Sequence, residues 1–83
     1  MNKIIFSTRL RALRKATGLT QADLGRVLGG TQSFIKHLEM GDSFPNIDNF
    51  LAIAEYFHVT TDYLFGRTDD PHHTDINPAI RTA

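Results

Sequence analysis

Two Thr-Gln pairs, Thr20-Gln21 and Thr31-Gln32, stand eleven residues apart, each opening a short amphipathic stretch. A glutamine amide carries a donor and an acceptor, so it can hold adenine through two hydrogen bonds or donate to a phosphate oxygen. On a helical wheel over residues 32 to 40, Ile35 and Leu38 point one way. Ser33, Lys36, His37 and Met40 point the other, with Gln32 at the flank. Gln32, Ser33 and His37 have groups suited to base edges, and Lys36 has a charge suited to phosphate. Gln21 begins a helix whose free backbone N–H groups favour an anion, and its amide can donate to the same group. One glutamine therefore suits a nucleic-acid backbone and the other suits a base.

Positioning these groups requires helices, and helix signals are dense while strand signals are nearly absent. Phe6, Leu10, Leu13 and Thr17 recur at helical spacing until Gly18 stops the first helix. Thr20 caps a second helix, 21 to 28, with Leu24, Val27 and Leu28 as its apolar stripe; Gly29-Gly30 turns the chain. Thr31 caps a third, 32 to 39, stopped by Gly41. Asn46 caps a fourth reaching about Phe57, with Ile47, Phe50, Leu51, Ile53, Ala54 and Phe57 as a broad apolar face. His58 falls where a left-handed C-terminal residue is expected. Thr60 caps a last helix, Thr61 to Phe65, ended by Gly66. The expectation is an all-α domain of five short helices over residues 1–66, followed by a flexible acidic tail over 67–83.

With 83 residues the chain makes one small domain. Its net charge of zero hides an asymmetry. Residues 1 to 40 carry seven Lys/Arg against Asp23 and Glu39, a net of +5, and residues 41 to 83 carry −5. One half suits a polyanion and the other repels it.

Other chemistry is thinly supplied. Cysteine is absent, which excludes disulfides and thiolate zinc sites. There is no Gly-rich phosphate loop, nucleophile motif or metal-ligand spacing, so neither an enzyme nor a cofactor is expected. His72-His73, near Asp69, Asp70 and Asp75, falls in a segment read as lacking the fixed geometry a metal needs, and no metal site is expected. The apolar run Ile4-Ile5-Phe6 is too short for a signal-peptide core or a membrane span. A cytoplasmic location without membrane association is expected.

The second helix, a glycine turn and the third helix form the helix-turn-helix order, in which the second of the pair enters the major groove. Residues 9 to 66, about seven-tenths of the chain, resemble the Cro/C1-type helix-turn-helix domain of phage repressors and many bacterial regulators. The likeness runs from "RLRxLR" through "GLTQxxL" and "IxxLExG" to "DYLFGRTDD". It implies a compact lambda-repressor-like bundle that binds an operator in double-stranded DNA as a homodimer, at the nucleoid, and usually represses transcription. By the same resemblance Gln21 clamps a phosphate, with Thr31 and Lys36 beside it in the phosphate set. Gln32, Ser33 and His37 contact bases. Arg14 and Glu39 form a structural ion pair between the first and third helices. Phe34 flanks the core or touches a thymine methyl, with packing favoured.

The cluster of Tyr56, Phe57, Val59, Tyr63, Leu64 and Phe65 has two uses. It closes the core over the fourth helix, or part of it forms a two-fold dimer seam as the resemblance implies. Phe57 and Leu64 are expected inward, and Tyr63 and Phe65 partly toward a partner. Two other functions remain open. One is an antitoxin whose C-terminal tail grips a protein partner. The other is an interaction module that kept the fold without DNA binding, for which "GDSFP" and the acidic half are the arguments.

Overall fold

The computed structural model describes residues 3–72. Five helices account for most of that span: α1 (Lys3–Ala16), α2 (Gln21–Val27), α3 (Gln32–Met40), α4 (Ile47–Phe57) and α5 (Thr61–Phe65). Four begin on a side-chain cap. The Thr20 hydroxyl accepts from the Asp23 amide, Thr31 from Phe34, Asn46 from Asn49 and Thr60 from Tyr63. Each bond satisfies a backbone donor that has no partner within its own helix. The ends are set by left-handed residues, Gly41 after α3, His58 after α4 and Gly66 after α5. His58, at φ 56°, is the one non-glycine with positive φ among the described residues.

Every helix contributes to one core. Phe6 and Leu10 of α1, Leu24 of α2, Ile35 and Leu38 of α3, Ile53 of α4 and Leu64 of α5 are wholly buried. Burying one such side chain stabilises by about 1.5–3 kcal/mol. Phe6 lies between Phe44 and Phe50 with ring centroids 6.0 and 5.8 Å away, and Phe50 meets Phe65 at 4.6 Å. Helix α1 packs on α3 and α5, α2 on α3, and α4 on α5.

The apolar stripes read from sequence are narrower in the structure. Val27, Ile47 and Leu51 were expected inside and are 45%, 65% and 44% exposed. In α2 the turn toward the core is made by Leu28, which follows the helix as its C-cap and packs against the core. In α4 the buried positions are Phe50, Ile53 and Ala54, and Ile47 and Leu51 stand on the flank. Helix α2 also stops one residue earlier, and α3 runs one residue further, than expected.

The chain beyond Gly66 is tied back to the bundle as far as the description reaches. The Arg9 guanidinium donates to the Tyr63 carbonyl, to the Thr68 carbonyl at 2.6 Å and to Asp69 at 2.7 Å, and lies 4.1 Å from the Tyr63 ring centroid. The Thr60 amide donates to the Pro71 carbonyl at 2.9 Å. The expected tail beyond His72, including His73, lies outside the described residues.

Candidate nucleic-acid interface

The angle between α2 and α3 is set by a close backbone approach. Gly25 of α2 is buried, and a Cβ on it would fall 2.7 Å from the carbonyl carbon and oxygen of Thr31. Its carbonyl receives the Gly30 amide at 2.7 Å, and Gly29 turns the chain at φ 72°. Only a residue without a side chain lets the start of α3 come this near. Phe34 packs against the core and is partly buried, in line with the favoured of its two readings.

A buried carboxylate then fixes α3 against the two helices before it. The Glu39 side chain is 1% exposed. It accepts Arg14 Nε at 2.6 Å and Arg14 Nη2 at 3.0 Å, and Gln21 Nε2 at 3.2 Å. Arg11 stands 3.6 Å away and donates to the Glu39 carbonyl. Burial pushes the Glu39 carboxyl up, but the bonds from Arg14 and Gln21 and the charges of Arg14 and Arg11 outweigh it, holding the group below its ordinary value. The Arg14 guanidinium is correspondingly raised, chiefly by its hydrogen bond to Glu39. No buried side-chain polar atom among the described residues is left without a partner.

What α3 turns outward is polar. Gln32, Ser33, Lys36 and His37 are exposed along one side, with Met40 at the end, opposite the buried Ile35, Leu38 and Glu39. Lys36 makes no ion pair with any described residue. The Thr31 oxygen accepts from Phe34, which leaves its own O–H to donate outward. Gln21 uses one amide hydrogen on Glu39 and keeps a second. The start of α2 also carries an acid: Asp23 accepts the Thr20 amide at 3.0 Å, and the bonds from Thr20 hold its carboxyl below the usual range.

Sequence reasoning did not find three features. Asp42 lies against His37, its carboxylate oxygens 3.2 and 3.3 Å from Nδ1. Arg9 secures the chain after α5, and Arg11 joins the Glu39 cluster. Tyr63 and Phe65 are both partly buried within their own bundle, Tyr63 under Arg9 and Phe65 on Phe50. No described residues gather into a metal-ligand cluster.

Comparison with known proteins agrees with this geometry. Residues 8–69 match the family described as "Helix-turn-helix domain". The chain is 36% identical over 67 residues to an uncharacterised HTH-type transcriptional regulator, YobD, of Bacillus subtilis, covering 81% of this chain and 60% of the relative. It is 34% identical over 64 residues to repressor protein C2 of Salmonella phage P22, covering 77% of this chain and 30% of the repressor. The crystal structure of that repressor with a synthetic operator superposes at a TM-score of 0.69, with 33% identity over 72% of this chain and 91% of that one. The restriction-modification controller protein C.AhdI of Aeromonas hydrophila superposes at 0.68, with 31% identity over 77% of this chain and 93% of that one. The chain thus spans three-fifths and three-tenths of the two curated relatives' own lengths.

Proposed function

The chain belongs to the helix-turn-helix domain family of DNA-binding transcriptional regulators, and from that membership we propose that it binds a specific operator in double-stranded DNA and acts as a repressor. The observation that carries the reading is the outward face of α3. Gln32, Ser33, Lys36 and His37 are exposed on a helix whose opposite side is locked to α1 and α2 by Glu39 and to α2 by the Gly25 contact. A helix held in place and presenting polar side chains suits major-groove readout.

In this reading Gln32, Ser33 and His37 contact base edges, and Gln21, Thr31 and Lys36 hold phosphates. The protein is a homodimer with Tyr63 and Phe65 in its seam. Two copies of α3 then enter successive major grooves about 34 Å apart on a roughly palindromic site. It works in the cytoplasm, at the nucleoid. Residues 1 to 40, which include α2 and α3, carry a net charge of +5, and this supports attraction to phosphate.

Titration of a fluorescein-labelled duplex at two salt concentrations tests DNA binding as such. Affinity is expected to fall steeply as salt rises, because phosphate contacts release counterions. A folded protein whose association with duplex DNA shows no salt dependence overturns the reading.

A further inference from the structure

His37 stands on the exposed side of α3, but its ring is held from one edge. Nδ1 lies 3.2 and 3.3 Å from the two oxygens of Asp42, five residues on. That spacing is reached because Gly41, at φ 81°, turns the chain back after α3. The turn is itself confined, since a Cβ on Gly41 would lie 3.3 Å from Ile4 Cδ1 and 3.5 Å from Ser7 Oγ. An ionised carboxylate only accepts hydrogen bonds, so Nδ1 carries a hydrogen in the neutral ring and in the protonated ring alike. In the neutral ring Nε2 is then a bare acceptor.

We propose that Asp42 is a positioning residue for base readout: it fixes His37 as the Nδ1–H tautomer, so that Nε2 selects a base offering an exocyclic amino group. In the major groove such groups are adenine N6 and cytosine N4, whereas guanine presents only acceptors at N7 and O6. The inference rests on the reading of α3 as the base-contacting helix. It gives a role to an acid placed where repulsion from phosphate would otherwise weaken binding.

Two variants separate tautomer control from charge. Asp42→Ala removes both the acceptor and the charge, and Asp42→Asn removes the charge while keeping a carbonyl that can accept from Nδ1. Asp42 is exposed, so neither change disturbs the core. The first measurement is a two-bond 1H–15N correlation spectrum of the free protein at alkaline pH, where imidazole is neutral. Wild type is expected to show Nδ1–H at His37, Asp42→Asn to keep it, and Asp42→Ala to shift toward Nε2–H.

The second measurement selects bound duplexes from a random pool with each protein. Wild type and Asp42→Asn are expected to prefer adenine or cytosine at one position per half-site by roughly three- to tenfold, the worth of one hydrogen bond. Asp42→Ala is expected to lose that preference or move it toward guanine. Wild-type His37 found as Nε2–H overturns the proposal, whatever DNA does. So does an operator whose preference is unchanged in Asp42→Ala, or changed equally in Asp42→Asn. If wild type enriches no sequence, the reading of α3 fails and the proposal with it, and the spectrum still reports whether Asp42 sets the tautomer.

Discussion

Glu39 of α3 accepts two hydrogen bonds from Arg14 of α1, Nε to Oε2 at 2.6 Å and Nη2 to Oε1 at 3.0 Å. Both side chains are largely out of water, and the same carboxylate also receives Gln21 from α2. One buried group therefore sets the mutual placement of three helices. Such a pair is not in itself a large source of stability, because desolvating two charges offsets most of their attraction. Its worth lies in orientation, and in the penalty for leaving one partner alone.

Arg14→Ala leaves the Glu39 carboxylate buried with weaker partners, and is expected to cost about 3–5 kcal/mol. Urea unfolding followed by circular dichroism reads the change. Replacing both residues with apolar side chains of similar size should recover most of the loss. A single variant within 1 kcal/mol of wild type would mean that solvent reaches the pair.

Acid should weaken the fold through the same group. The folded-state pKa of Glu39 lies below its ordinary value, so the unfolded chain takes up the proton first as pH drops. The contribution is complete above the usual carboxylate range, about 4, and is lost as pH falls through the lowered folded value. Asp23 shifts in the same direction, chiefly through the Thr20 amide. Thermal unfolding across this range should show a falling melting temperature for wild type and a flatter profile for Glu39→Gln.

Gly25→Ala sets two effects against each other. Alanine favours a helix over glycine by about 1 kcal/mol. Its Cβ would meet backbone atoms of Thr31 at 2.7 Å, and backbone cannot step aside as a flexible side chain can. Overpacking of this kind costs about 1–3 kcal/mol, so the expected result is a net loss of stability. Opening the α2–α3 angle should also weaken duplex binding, measurable by fluorescence anisotropy.

The groups on α2 and α3 should separate by kind. Gln32→Ala or Ser33→Ala is expected to relax preference at one base position by about 1–3 kcal/mol. Lys36→Ala should weaken all sequences alike and reduce the salt slope by about one. Gln21→Ala should also weaken all sequences alike, but leave the slope unchanged because it carries no charge. Competition titrations with single-base operator variants distinguish these patterns, and a uniform loss from Gln32→Ala would remove it from the base-reading set.

The sequence shows most where structure is local. Caps at Thr20, Thr31, Asn46 and Thr60 are bonds across three residues, and the left-handed stop at His58 depends on its own backbone. Wheel geometry also separates Ile35 and Leu38 from Ser33, Lys36 and His37 without tertiary knowledge. The stripe edges are not legible in this way. Ile47 and Leu51 are apolar and correctly spaced, but whether a flank is covered depends on where neighbouring helices stop. The Arg9 bonds to Tyr63, Thr68 and Asp69 join residues more than fifty positions apart, and no local pattern encodes them. Asp42 reaches His37 around a left-handed glycine, a spacing that no helical wheel displays.

The most direct test of α3 as a reader of DNA is selection from a random-sequence duplex pool by the wild-type protein, followed by sequencing of the bound fraction. The expected result is an inverted repeat whose half-site centres lie about one helical turn apart. No enrichment over the starting pool by protein shown to be folded would contradict it.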